Sequence, residues 1–184
     1  MKKTIMFCLL PILIFIFMLG CIRSRAYVEN ESPEVPLLDK YKKIHVDWLD
    51  LKEQDWQVYR FSSMEEWRGV IREMNIDGFH KYIKELLPRK EFSFATSNSD
   101  EPGKDMELHI KFSDYSITNN RPAPFRPGSI ELPIKIHFID LRANKEIYTG
   151  SITAYGYNKW GVNFEDRLNN AIYDLALFIA KKLK

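Results

Sequence analysis

Hydrophobic and polar residues alternate along the chain with period two in three places, and these places predict strands. Residues 44–48, 106–112 and 130–138 put an apolar side chain at every second position, as in a strand with one buried face. Residues 142–145 are typical of a turn, and 147–157 are predicted as the hairpin partner of the preceding strand.

Two smaller features modify this pattern. Phe92 and Phe94 predict a further short strand. Pro133 has no N–H group to donate, so we expect its part of the strand to lie at a sheet edge or a bulge.

Helical spacing recurs in two places. Ser63 followed by Glu66 is a capping-box pattern that opens an apolar repeat. Its phase slips at 75–78, which predicts one kinked helix or two short ones ending at Pro88. A last helix is predicted after Asn163 as its cap. Its apolar stripe comprises Phe164, Leu168, Ala171, Ile172, Leu175 and Ile179.

The order of these elements predicts the fold class. Strand, helix, strands, hairpin and helix, without an internal repeat, favour one α+β domain over residues 41–184. We expect a mainly antiparallel sheet of about five strands with two main helices on one face. This element order resembles periplasmic domains of the TolB N-terminal and curli-pore lipoprotein type, an analogy that assigns no function.

The N-terminus has the pattern of a secretory signal peptide, residues 1–20. Lys2 and Lys3 precede an uncharged run from Ile5 to Leu19, and a run of this length is short for a membrane-spanning helix. An uncleaved anchor helix is the alternative.

The end of this run resembles the lipobox of bacterial lipoproteins. Met18, Leu19, Gly20 and Cys21 occupy the four positions of that motif, and Gly20 and Cys21 match its two most restrictive ones. The resemblance implies cleavage by signal peptidase II and lipidation of Cys21, with acyl chains such as palmitate anchoring the protein to a membrane. Ile22 lies where Asp would retain an enteric-type lipoprotein at the inner membrane, which favours the outer membrane, facing the periplasm.

Residues 21–40 are predicted to be the lipidated cysteine and a flexible tether. They are polar, contain Pro33 and Pro36, and show no apolar repeat at strand or helix spacing.

Net charge and cysteine content indicate which partners and which covalent cross-links we do not expect. The net charge is +2, and without Lys2 and Lys3 the 25 remaining basic residues balance 25 acidic ones. This balance predicts no nucleic-acid partner. With Cys8 in the signal peptide and Cys21 lipidated, the mature chain has no thiol for a disulfide, so the core alone must stabilise it.

Candidate chemistry is sparse. His45, His109 and His137 fall on the polar faces of predicted strands and could converge if those strands are neighbours, and His80 lies in the helical region. No two of the histidines have metal-ligand spacing, so we interpret them as solvated residues without a shared role and predict neither metal nor cofactor. Because no nucleophile or phosphate-binding motif is present, we expect no enzyme.

Two segments are candidates for partner binding. The proline-rich loop 118–129 carries Arg121 and Arg126, which suit carboxylates, and Phe125, which suits an apolar pocket. The alternative is a simple strand connection. Trp56 and Tyr59 are an aromatic pair that either contacts a partner or packs under a long loop.

The sequence therefore predicts a lipid-anchored protein of the bacterial cell envelope. We expect it to act as a non-catalytic binding, accessory or assembly factor for another envelope protein. The alternative is a small hydrolase or carbohydrate-active protein whose site is assembled only by the fold.

Overall fold

A computed structural model describes residues 26–31, 38–47, 62–95, 100–120, 128–157 and 164–184. Within these ranges, seven strands build one sheet: β1 (Tyr27–Glu31), β2 (Lys43–Val46), β3 (Glu91–Phe94), β4 (Leu108–Ser113), β5 (Thr118–Asn120), β6 (Ser129–Asp140) and β7 (Lys145–Tyr157). The helices are α1 (Met64–Arg72), α2 (Phe79–Leu86) and α3 (Phe164–Lys182), with a π-helical segment, Glu73–Gly78, joining α1 to α2.

The strand order in the sheet is β1-β7-β6-β4-β2-β3, and β5 also pairs with β6. The β6–β7 hairpin and the other pairs of β6 and β7 are antiparallel, whereas β2 is parallel to both β3 and β4. A helix connects β2 to β3, and such a crossover makes neighbouring strands parallel. The predicted α+β class is confirmed, but the sheet has seven strands instead of about five and is mixed.

The core lies between one face of the sheet and the helices. Apolar side chains at alternate positions of β2, β4, β6 and β7 are buried there against α2 and α3. The fully buried ones of β6 are Ile130, Leu132, Ile136 and Phe138. In the described part of the chain, no helix is both long and apolar enough to cross a membrane.

The predicted kink is a π-helical segment. Ser63 caps α1, because its Oγ accepts a hydrogen bond from the Glu66 N–H at 3.1 Å. The extra residue per turn in 73–78 rotates the apolar face, so that Phe79 and Ile83 of α2 reach the core. In the sequence, this segment corresponds to the change in the phase of the hydrophobic repeat at 75–78.

Part of the predicted tether is strand β1. Val28 pairs with Ile152 of β7, and Leu38 and Tyr41 are buried in the core. This differs from the flexible segment expected over 21–40. The strand was missed because an edge strand can be held by its backbone hydrogen bonds without an apolar repeat.

Pro133 lies in an interior strand, so the expected sheet edge is wrong for β6. On one side of β6, the pairing strand changes near Pro133. Strand β4 pairs with β6 from Asp140 to Lys135, and β5 pairs with it from Glu131 to Ser129. The Pro133 carbonyl accepts from the Ser116 N–H in the connection between them. The missing N–H of proline is tolerated at this break in the pairing.

Candidate functional site on the polar face of the sheet

The face of the sheet opposite the helices carries the polar residues that alternate with the core. His45 is the direct partner of His109 across β2 and β4, and Lys111 is the partner of His137 across β4 and β6. As the sequence predicts, three histidines share this face, but they form two separate groups.

The first group contains His45, Asp47 and His109, and we call it the histidine–aspartate cluster. The two imidazole rings meet edge to face with centroids 5.2 Å apart. Asp47 follows β2 two positions after His45, and its Oδ1 lies 2.6 Å from His109 Nε2. Ser93 on β3 places its Oγ 3.3 Å from His45 Nδ1.

Both imidazoles of this cluster are buried, with exposed fractions of 3% for His45 and 7% for His109. The expectation of solvated histidines is therefore wrong for these two. Burial lowers the pKa of His45, and the nearby His109 lowers it further. The neutral ring is thus favoured, and neutral imidazole is the form that accepts protons and binds metal ions.

The second group joins three strands through Ser113, His137 and Glu146. Ser113 Oγ lies 2.9 Å from His137 Nε2, and His137 Nδ1 lies 2.6 Å from Glu146 Oε2. The Thr149 hydroxyl donates to Glu146, and this bond, with that from His137, holds the Glu146 pKa below its usual value. A hydroxyl, a histidine and a carboxylate in this order are the arrangement that activates a serine nucleophile.

His80 lies away from both groups. It is on α2, and its ring stacks on Phe94 of β3 with the centroids 3.5 Å apart. Burial is the main reason that its pKa falls to about 4.

A charged cleft of about 160 Å³ lies at one end of the sheet, between Lys40, Tyr41, Glu107, Asp140 and Arg142. The Tyr41 hydroxyl donates to Asp140 Oδ2 at 2.7 Å, and the other Asp140 oxygen accepts from two N–H groups of the β6–β7 turn. Glu107 accepts from the Lys42 N–H at 2.7 Å and from Arg142. These bonds connect three loops, so we interpret the cleft as structural.

The site residues predicted from sequence all lie outside the described residues. They are Cys21, Trp56, Tyr59, Arg121, Phe125 and Arg126.

Sequence reasoning missed the partners of the histidines: Asp47, Ser113 and Glu146. The spacing His45-x-Asp47 on a strand places both side chains on one face and could have indicated the first cluster. Ser113 and Glu146 carry no local signal, since only strand register brings them to His137.

The fold and the polar face define an α+β domain with helices on one side of the sheet and polar side chains on the other. No family model matches the chain, and no curated protein matches it. Among solved structures, the chain is similar to the PelC dodecamer from Paraburkholderia phytofirmans, with 11% identity and a TM-score of 0.47 over 86% of this chain and 96% of that chain. It is also similar to a minor lipoprotein from Acinetobacter baumannii, with 15% identity and a TM-score of 0.45 over 78% of this chain and 92% of that chain. At these values neither neighbour lends this chain a function.

Proposed function

We propose that the chain is a lipid-anchored protein of the bacterial envelope, in the outer membrane facing the periplasm, and that its domain binds another envelope protein. The observation that carries this proposal is the lipobox-like sequence Met18–Cys21 directly ahead of a domain whose first strand begins at Tyr27. Six residue steps separate Cys21 from Tyr27, and an extended chain of that length spans about 20 Å. The lipid therefore holds the domain close to the membrane.

The pairing of β1 supports an orientation of the domain relative to the lipid. Tyr27 pairs with Thr153, four residues before the end of β7, and β1 is antiparallel to β7, so the amino end of β1 points toward the carboxyl end of β7. At that end Ser129 pairs with Tyr157, and the connection 121–127 joins β5 to β6. We call this end of the sheet the anchor end; the charged cleft lies at the opposite end.

This orientation supports two kinds of binding surface. Arg121, Phe125 and Arg126 lie in sequence between Asn120 of β5 and Ser129 of β6, and these two paired residues are at the anchor end. The exposed part of the polar face extends away from the lipid, where a partner in the periplasm can reach it.

Labelled palmitate tests the anchor. The full chain, expressed in a bacterium, should incorporate the label, whereas Cys21→Ser should not. A signal peptidase II inhibitor should cause a larger, labelled precursor of the parent to accumulate. If Cys21→Ser is labelled or processed like the parent, the anchor and the orientation are both wrong.

A cross-linking experiment tests the binding role separately. A photo-reactive residue at position 121, 125 or 126 should capture a discrete envelope protein, whereas one at exposed Lys181 on α3 serves as the control. Capture of the same proteins from all positions would contradict a specific partner site.

A second candidate function is hydrolysis by Ser113, His137 and Glu146. The observation that favours it is the order of contacts, serine hydroxyl to Nε2 and Nδ1 to carboxylate. In such a step the Ser113 oxygen attacks an ester carbonyl, His137 takes its proton and returns it to the leaving alkoxide, and water then releases the acid. Glu146 keeps the imidazole oriented.

An activated ester such as p-nitrophenyl acetate distinguishes the two functions. A hydrolase should show a burst or turnover that Ser113→Ala and His137→Gln abolish and that His80→Gln leaves unchanged. Equal rates for the parent and Ser113→Ala would exclude this candidate and leave the binding function untouched.

A further inference from the structure

The histidine–aspartate cluster brings three metal-ligating side chains to one point on the sheet. The donor atoms of His45, Asp47 and His109 all lie within 4.8 Å of one another. The parallel register of β2 and β4 fixes this arrangement, because it makes His45 and His109 direct partners. Asp47 lies two positions beyond His45 and reaches the same side.

One ring nitrogen of the cluster has no hydrogen-bond partner among the described residues. Within the described part of the chain, no group forms a hydrogen bond with the buried Nε2 of His45. A buried polar atom without a hydrogen bond destabilises the folded chain. A cation bound at this nitrogen would remove that destabilisation.

The surroundings of His45 favour Nε2 as a ligand. Ser93 lies next to Nδ1, on the other side of the ring. A hydrogen bond at one imidazole nitrogen fixes the ring and directs the second nitrogen toward a metal ion. Burial and the nearby His109 oppose a positive charge at His45, whereas the carboxylates of Asp47 and Asp100 favour one.

Small side-chain movements would complete the geometry. Ligand atoms of a tetrahedral zinc ion, at bond lengths of about 2.0–2.1 Å, are about 3.3 Å apart. Asp47 Oδ1 and His109 Nε2 are now 2.6 Å apart and would separate slightly. The remaining separations, at most 4.8 Å, would shorten by up to about 1.5 Å.

The ligand types select the class of cation. Two imidazoles and one carboxylate suit zinc and neighbouring transition metals, whereas calcium and magnesium prefer oxygen ligands. Three protein ligands leave one position for water or for a group on a bound molecule.

We propose that His45, Asp47 and His109 form a three-ligand binding site for a divalent transition-metal cation, with Zn²⁺ as its probe. The site goes beyond the proposed anchoring and binding function and does not depend on it.

Zinc titration of the untagged full chain in detergent tests the site. After chelator treatment, the chain should bind one Zn²⁺ in competition with a chromophoric chelator, and millimolar Mg²⁺ should not displace it. Asp47→Asn and His109→Gln should each weaken binding by about tenfold or more. His137→Gln, on the same face outside the cluster, should bind as the parent does.

A measurement on the unmutated chain keeps the proposal testable even if the variants fail to fold. Co²⁺ should give the visible absorption of a four- or five-coordinate site, and Zn²⁺ should abolish it by displacement. Absence of stoichiometric binding by the parent would overturn the proposal, as would loss of binding in His137→Gln equal to that in Asp47→Asn.

Discussion

His80 shows how burial changes a single titratable residue. Its ring is stacked on Phe94, and burial, with a smaller effect of Lys84, lowers its pKa from 6.5 to about 4. The unfolded chain therefore binds a proton at a higher pH than the folded chain. Stability from the neutral ring is complete above the unfolded pKa and is lost as the pH falls toward the folded one.

We predict that His80→Phe makes the folded domain less sensitive to mild acid. Between about pH 7.5 and about pH 4.5, the parent should lose up to about 3 kcal/mol more unfolding free energy than the variant. Phenylalanine keeps a ring stacked on Phe94 but cannot be protonated. Urea unfolding at several pH values measures the difference, and parallel pH profiles for the two proteins would contradict the prediction.

At Gly156, the backbone of strand β7 lies close against the backbone of helix α3. A Cβ atom at Gly156 would lie 1.7 Å from the carbonyl oxygen of Arg167 and 3.1 Å from the backbone nitrogen of Ala171. Because backbone atoms cannot move aside as a flexible side chain does, glycine at this position sets how closely the helix packs on the sheet.

We predict that Gly156→Ala destabilises the domain by about 3 kcal/mol, since the helix must shift or the strand must bend. Gly69→Ala is the matched control, because a Cβ at Gly69 in α1 would have no neighbour within 4 Å. The control should gain about 0.5–1 kcal/mol from helix propensity. Urea unfolding of the mature chain carrying Cys21→Ser compares them, and a Gly156→Ala variant as stable as the control would disprove the close contact.

Some strands and helices are clearly predicted by the sequence, and others are not. The long strands β6 and β7 and helix α3 have a clear apolar repeat, and the phase slip at 75–78 corresponds to the π-helical segment. Strands β1 and β5 were missed because they are short and polar. The parallel pairing of β2 with β3 follows from the helix that connects them.

The candidate site was less predictable than the fold. Its histidines were assigned to the correct face, but their grouping depends on register: one residue of slip between β2 and β4 would move His45 away from His109. Asp47 was recognisable from its spacing to His45. Ser113 and Glu146 are 33 positions apart in sequence and meet only through β6.

At the scale of the whole molecule, strand β7 runs from Lys145, near the charged cleft, to Tyr157 at the anchor end. These two exposed residues are the ends of one strand and lie about 40 Å apart at about 3.3 Å per residue. With Cys21 lipidated and Cys8 removed, the mature chain would have no free thiol, so a cysteine introduced at either end would be a unique probe.

We predict that membrane anchoring shields a thiol at the anchor end and not at the opposite end. In proteoliposomes, Tyr157→Cys should react with a bulky maleimide several-fold more slowly than Lys145→Cys, because the six-step link to the lipid leaves little room beneath the anchor end. On the mature chain carrying Cys21→Ser, which has neither the lipid nor Cys8, the ratio of the two rates should approach one. A ratio that is unchanged by the lipid would mean that β1 does not hold this end at the membrane, whatever the outcome of palmitate labelling.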